Sequence, residues 1–376
     1  MKISILKDEL YNELQIVSKA ISPISPQVSL RGIKIEAKDN KLVLTGSDAD
    51  ISIQKIINKN DDNKLNIIEE GNILVDVKYL LELVRKVDSE IIEIEILDGS
   101  LLYFHGGKAK YKINGLNPES YPKIDFKVND ESFSLKVKDL LNIINQTVFA
   151  VSKKDTRPIL TGVNIKTQGN NLNCTATDSF RLTRKIIPFN YNNEFNVTIP
   201  AKVLNELKSS LQLLDNDSDI LISINDKKAQ FVFNDTIFQA RLLDGEYPAT
   251  DKLIPTEGQF NYYLDINRRD LINAVERSNF IKNENIITNK LDCSKEEIIL
   301  SNKNQEIGEF EEELVGKFEG ENFEIVFISY YMLDALKALS GDDVKIKFTE
   351  KMKAFIVSDP SDDSITELVL PTRHLS

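Results

Sequence analysis

A chain of 376 residues exceeds what one hydrophobic core of ordinary size organises, and suits two or three domains. Its 41% apolar and 28% charged residues exclude a disordered chain, and no uncharged apolar run approaches a membrane span. The net charge of −12 argues on its face against nucleic acid as a partner, although binding depends on where charge sits rather than on its total.

At the N-terminus Lys7, Asp8 and Glu9 stand where a secretion signal needs an apolar core, so the chain reads as cytoplasmic. Lys7–Ile21 spaces Leu10, Leu14 and Val17 at three- and four-residue steps, which predicts an amphipathic helix. Leu30–Ile35 and Leu42–Asp48 read as strands around an Asp39-Asn40 turn. A second helix is predicted over Lys78–Asp88, then strands over Ile91–Leu97 and Lys110–Ile113, closing on a turn that ends Tyr121-Pro122.

The middle of the chain repeats this plan. A helix is predicted over Lys136–Lys154, with Leu140, Ile143, Ile144, Val148 and Val151 on one face. Arg157–Lys166 and Leu172–Arg184 follow as two strands around a polar turn, the second passing through Asp178, Ser179 and Phe180. Ala201–Leu211 is helical in pattern, with Pro200 at its start, and strands alternate at Asp219–Ile224 and Gln230–Phe233. Then come Tyr247-Pro248, a helix over Asn267–Asn283, another over Ser329–Ser340 with Ser329 as a candidate N-cap, and a strand at Val344–Phe348.

Three landmarks recur in register. Glu9-Leu10, Asp139-Leu140 and Asp270-Leu271 are separated by 130 and 131 residues, and the two Tyr-Pro pairs by 126. Segments beginning at Val75, Ile199 and Phe327 align without gaps. The chain is therefore expected to be three copies of an α+β domain, each with two helices on antiparallel sheet, bounded as 1–128, 129–254 and 255–376.

Catalytic chemistry finds little support. His105 and His374 belong to no metal spacing or nucleophile constellation, and neither a phosphate-binding loop nor a dinucleotide fingerprint is present. Asp178-Ser179 lacks a base, Asp342-Asp343 and Asp362-Asp363 read as turn residues, and Cys174 and Cys293 as idle thiols. No catalytic residue, metal or cofactor is assigned.

The stretch Thr156 to Leu160, the run Ala176 to Leu182, the segment Tyr331 to Leu339 and the closing Leu368 to Arg373 resemble the bacterial sliding clamp family, the beta subunit of DNA polymerase III. The resemblance covers the whole chain. It implies the DNA clamp fold, closing as a head-to-tail dimeric ring that encircles duplex DNA without regard to sequence, works at the nucleoid and has no catalysis of its own. Implied partners are the polymerase III alpha subunit, the clamp loader, other polymerases, ligase and mismatch-repair proteins. The open alternative is a repeat-built interaction scaffold that never encircles DNA.

Charge bears on the choice. The six helical segments hold 16 Lys/Arg against 10 Asp/Glu, a net +6, so the rest of the chain carries −18. A basic lining favours phosphates without reading bases, although Lys and Arg also favour exposed helix faces for their own sake. The expected DNA-facing cations are Lys136, Lys138, Lys153, Lys154, Lys202, Arg268, Arg269 and Arg277.

The resemblance also implies a pocket for short partner peptides with apolar anchors. It maps to Leu160, Thr177, Ser179, Phe180, Arg181 and Leu182, to Pro248 and Leu253, and to Tyr331, Met352, Leu368 and Leu370. Thr177 and Arg181 would fix polar groups of the peptide. Plain core is the competing reading for Leu160, Leu182, Leu253 and Leu370. Subunits would join a basic strand with Lys108, Lys110 and Tyr111 to an acidic one with Glu306, Glu309 and Glu311, Phe280 and Ile281 adding apolar contact.

Overall fold

The computed structural model describes residues 1–97, 99–129, 131–281 and 286–373. The chain opens with β1 (Lys2–Leu6) and α1 (Lys7–Ser18), then β2 (Gly32–Lys38), β3 (Lys41–Ser47), β4 (Ile51–Asn58) and β5 (Asn66–Glu69). β6 (Gly71–Asp76) runs into α2 (Val77–Lys86), followed by β7 (Ile91–Leu97), β8 (Leu101–Gly106) and β9 (Ala109–Asn114). The plan then repeats with β10 (Ser132–Lys136), α3 (Val137–Thr147), β11 (Gly162–Gln168), β12 (Asn171–Thr177), β13 (Arg181–Pro188) and β14 (Asn196–Pro200). α4 (Ala201–Leu211), β15 (Asp219–Ile224), β16 (Lys228–Phe233) and β17 (Thr236–Arg241) complete the second round. The third begins with β18 (Tyr262–Asn267), α5 (Arg268–Ser278), β19 (Thr288–Cys293), β20 (Ile298–Asn304), β21 (Gly308–Glu313) and β22 (Gly316–Glu319). It ends with β23 (Phe323–Ile328), α6 (Ser329–Ala338), β24 (Asp343–Phe348), β25 (Phe355–Asp359) and β26 (Asp362–Val369).

Local chemistry explains the helix starts. The Asp76 carboxylate accepts from the Lys78 N–H, and the Asn267 side chain from Arg269 and Asp270, satisfying donors that a first turn leaves unpaired. Ser329 is instead the first helical residue, and no side chain caps Ile328 before it. α1 buries Leu10, Leu14 and Val17, the face its spacing predicted. Gly46 on β3 allows that approach, because a Cβ there would stand 2.8 Å from the Val17 carbonyl oxygen.

Residues 1–140 with 205–242 form one compact unit, holding a five-stranded sheet (β5-β1-β7-β8-β9) and an eight-stranded one (β10-β15-β16-β17-β4-β3-β2-β6). Residues 141–204 with 243–376 form another, with sheets of nine (β14-β11-β12-β13-β26-β25-β24-β18-β22) and four strands (β21-β20-β19-β23). The middle third of the sequence is thus shared between the units, because its strands complete the sheets of both neighbours. β17 pairs antiparallel with β4, and β13 with β26.

Five of the six helices end earlier than predicted, α3 and α5 by the most. α3 stops at Thr147, whose hydroxyl bonds back to the Ile143 carbonyl, and a 3-10 turn over Val148–Ala150 leads the chain away. Lys153 and Lys154 therefore stand on a loop, where the Ser152 N–H bonds the Leu160 carbonyl. α5 ends at Ser278, and Asn283, the predicted limit, lies outside the described residues.

Burial pushes both thiols, Cys174 and Cys293, up to about 12. A thiol is nucleophilic only as thiolate. Native protein at pH 8 is expected to leave an aromatic disulfide reagent unreacted, and to release two equivalents per chain only in denaturant. Rapid release from folded protein would contradict the packing.

Candidate functional site

The link between β12 and β13, Thr177 to Leu182, is built by its own polar side chains. The Asp178 carboxylate accepts from the Phe180 and Arg181 N–H groups at 2.9 and 3.0 Å, and the Thr177 hydroxyl accepts from Ser179 N–H at 3.1 Å. These bonds hold Ser179 at a φ of +78°, an unusual conformation for a residue with a side chain. They also turn the Phe180 ring outward, 56% exposed, with its far side stacked on Tyr331.

Arg181 points inward. Its guanidinium donates to Asp178 at 3.1 Å, to Asp334 on α6 at 2.6 Å and to the Phe149 carbonyl, and it lies over the rings of Phe149 and Tyr331 at 5.3 and 4.8 Å. The Thr177 hydroxyl donates to the Arg181 carbonyl. Both residues thus position the loop, in contrast to the expectation that they meet a ligand's polar groups. Beside Arg181 lies a carboxyl that sequence reading missed, Glu367 on β26, fully buried and accepting from the Thr183 hydroxyl at 2.7 Å. Burial holds its pKa well above the usual carboxylate range, against the pull of Thr183 and Arg181. The available signal was a Glu in the inward series Ile365, Glu367, Val369.

The apolar members sort into floor and rim. Leu182 and Leu368 face each other across the β13–β26 pairing and pack with Phe260 and Ile356, two residues no motif had indicated. The Leu370 N–H bonds the Phe180 carbonyl at 2.9 Å, bringing these two exposed side chains together. Leu253 and Pro248 are also exposed, so the core reading fails for Leu253 and Leu370. It holds for Leu160, buried in the 3-10 turn Pro158–Thr161, and Tyr331 is likewise buried. Met352, at a φ of +63°, lines a groove of about 630 Å³ with Phe310, Glu311 and Thr372.

The cations sort by partner. Lys136 pairs with Asp219 and Lys138 with Asp217, both at 2.9 Å, and Arg277 makes a two-pronged pair with Glu312. Half-buried Arg268 donates to the carbonyls of Gly341 and Leu336 beyond and within α6, a structural task rather than a free charge. Lys202 is exposed. Among the described residues Lys153, Lys154 and Arg269 are exposed and form no ion pair.

β9 and β21 pair on one side only among the described residues, with β8 and β20. β9 exposes Lys110, Tyr111 and Lys112, with Lys108 in the turn before it. β21 exposes Glu309 and Glu311, with Glu306 in the preceding turn, and Lys303 pairs with Glu309 at 2.9 Å. Phe280 is 63% exposed, but Ile281 is wholly buried and its carbonyl accepts from Asn302. Ile281 is thus core, and its assignment to an interface is corrected. His105 lies 3.5 Å from Glu93, while His374 falls outside the described residues.

Three α+β repeats joined edge to edge, with an apolar rim over one joint and unlike charges on two outer strands, define a subunit of the clamp class. Family models for the N-terminal, central and C-terminal domains of the DNA polymerase III beta subunit match residues 1–125, 134–249 and 251–373. The chain is 38% identical to the beta sliding clamp of Staphylococcus epidermidis over 99% of both chains. It is 37% identical to that of Bacillus subtilis, over 99% of this chain and all of the relative. The crystal structure of the Bacillus subtilis DNA polymerase sliding clamp superposes with a TM-score of 0.95 at 37% identity, covering 99% of each chain. That of the Streptococcus pneumoniae beta chain gives 0.94 at 29% identity, again over 99% of each. The chain belongs to the DNA polymerase III beta subunit family, the bacterial sliding clamps.

A carboxyl whose pKa is higher in the fold than in the unfolded chain lowers stability as pH rises through the ordinary carboxylate range toward the folded pKa. Glu367→Gln is therefore expected to match the parent near pH 4 and to be more stable at pH 8 in urea titrations. A Gln variant less stable than the parent at pH 8, and by a smaller margin at pH 4, would mean that the ionised carboxylate belongs there.

Proposed function

We propose that two copies of this chain close head to tail, β9 of each against β21 of the other, around duplex DNA. The ring has no active site. It works in the cytoplasm at the nucleoid and holds the polymerase III alpha subunit, clamp loader, other polymerases, ligase and mismatch-repair proteins by apolar peptides at the Phe180–Leu370 rim. Its domains are 1–128, 129–254 and 255–376, with Lys153, Lys154 and Arg269 the cations best placed to meet phosphate and Lys202 a further contact.

One observation carries the ring. Each third ends its two sheets in a strand of the β4 kind (β4, β13, β21) and one of the β9 kind (β9, β17, β26), and the two internal joints pair unlike kinds of neighbouring thirds. The strands left over are again one of each kind. An exposed edge is a row of unmet backbone donors and acceptors, so a complementary edge is its natural cover.

The repeat supports a register as well. Counting from the strand–helix junctions through the paired residues makes Ser52, Leu182 and Glu309 equivalent, and likewise Lys112, Gln239 and Leu368. Ser52 lies opposite Gln239 and Leu182 opposite Leu368. The same rule sets Glu309 opposite Lys112, Phe310 opposite Tyr111 and Glu311 opposite Lys110, unlike charges flanking an aromatic pair.

Directly opposed Cα atoms stand about 4.5–5.5 Å apart, within disulfide reach. Tyr111→Cys/Phe310→Cys is expected to give covalent dimers on mild oxidation, and Tyr111→Cys/Lys303→Cys none. A wild-type chain that stays monomeric in light scattering at micromolar concentration overturns the ring.

Replacing Lys153, Lys154 and Arg269 with Gln should weaken retention on circular DNA and flatten its salt dependence by roughly 0.9 logarithmic units for each phosphate no longer neutralised. Lys138→Gln should do less, since Asp217 already holds that charge. Equal effects would favour a diffuse field over particular contacts.

A further inference from the structure

The β4–β17 joint carries a second groove, of about 700 Å³, lined by Leu30, Ser47, Ala49, Ser52, Pro122 and Gln239 together with charged residues of two loops. By the repeat these six stand where Leu160, Thr177, Ser179, Leu182, Pro248 and Leu368 stand at the β13–β26 joint. The backbone is the same in detail. Ala49 has a φ of +81°, against +78° for Ser179. The Asp48 carboxylate accepts from Asp50 and Ile51 N–H at 3.1 and 2.9 Å, as Asp178 does from Phe180 and Arg181. The Ser47 hydroxyl accepts from Ala49 N–H at 3.1 Å, as Thr177 does from Ser179. The Arg241 N–H bonds the Asp50 carbonyl at 2.8 Å, as Leu370 bonds Phe180 at 2.9 Å.

What differs is side-chain chemistry. Asp50 replaces Phe180, Ser52 replaces Leu182, Gln239 replaces Leu368 and Arg241 replaces Leu370. The floor becomes polar and internally satisfied: the Ser47 and Ser52 hydroxyls share a hydrogen bond of 2.8 Å, and Gln230 donates to Gln239 at 3.0 Å. An apolar anchor seated there would strip water from these polar groups without gaining the apolar contact that Leu182 and Leu368 offer at the other joint.

We infer that these four positions are what restricts apolar peptides to one of two like-built grooves in each chain, and that the β4–β17 groove becomes a second peptide site when they are exchanged. The inference rests on the peptide site proposed at the Phe180–Leu370 rim. Specificity lies in the rejecting side chains as much as in the accepting ones.

The test uses the full chain and a fluorescein-labelled pentapeptide with Leu and Phe anchors, titrated by calorimetry. Wild type is expected to bind one peptide per chain, and Phe180→Ala/Leu370→Ala none. Adding Asp50→Phe, Ser52→Leu, Gln239→Leu and Arg241→Leu to wild type should give two per chain, and adding them to Phe180→Ala/Leu370→Ala should restore one. Should the fourfold change lower the melting temperature, Asp50→Phe/Arg241→Leu, which alters exposed positions only, should still place a photoreactive peptide on the Pro122 side. A folded variant with no second site, or a wild type binding two peptides, overturns the inference. Unchanged binding by Phe180→Ala/Leu370→Ala would instead locate the first site elsewhere, removing the reading on which it rests.

Discussion

The backbone hydrogen bond between edge strands is the constraint on which this molecule is arranged. A sheet of four or five strands ends in donors and acceptors that must be met by water, by a cover or by another strand. In this chain β17 meets β4 and β26 meets β13, so sheets that would be small become eight and nine strands long. Each joint couples two repeats through main-chain bonds, which do not depend on the side chains carried. Such a joint tolerates divergence of sequence, and the two grooves beside the joints have diverged accordingly.

Beneath the apolar rim the structure spends its polar groups on position. Arg181 is nearly buried, yet three of its nitrogens are met, by two carboxylates and a carbonyl, and its flat face lies against aromatic rings. Removing either side of a buried charge of this kind leaves the other without a partner, which is strongly destabilising. The consequence for function is a loop held at a positive φ with its aromatic residue turned to solvent. Rim side chains are then presented by a rigid support, which for the peptide site proposed here would lower the entropy lost on binding.

Electrostatics divide in a similar way. Several cations that a helical wheel would assign to a DNA-facing surface are already matched by carboxylates on neighbouring strands and turns, so they shape the local field without offering an unpaired charge. Lys153, Lys154 and Arg269 differ in lacking such a neighbour among the described residues. In the proposed ring, a lining assembled from few free charges and many balanced ones would give weak, salt-sensitive and sequence-blind attraction. Tight pairing with phosphate would hinder movement along a duplex.

Sequence alone determined the threefold repeat, the six helices, and the buried face of α1 with Leu10, Leu14 and Val17, because periodicity and turn residues are written locally. It could not determine that Arg268 donates to the carbonyls of Gly341 and Leu336, that Lys136 and Lys138 pair with Asp219 and Asp217, or that Ile281 is core while its neighbour Phe280 is bare. In each case the deciding group lies tens of residues away along the chain, or across a turn whose direction the apolar pattern leaves open. Only the tertiary structure chose the partners, since a charge or a methyl group has no preference until the fold sets what stands beside it.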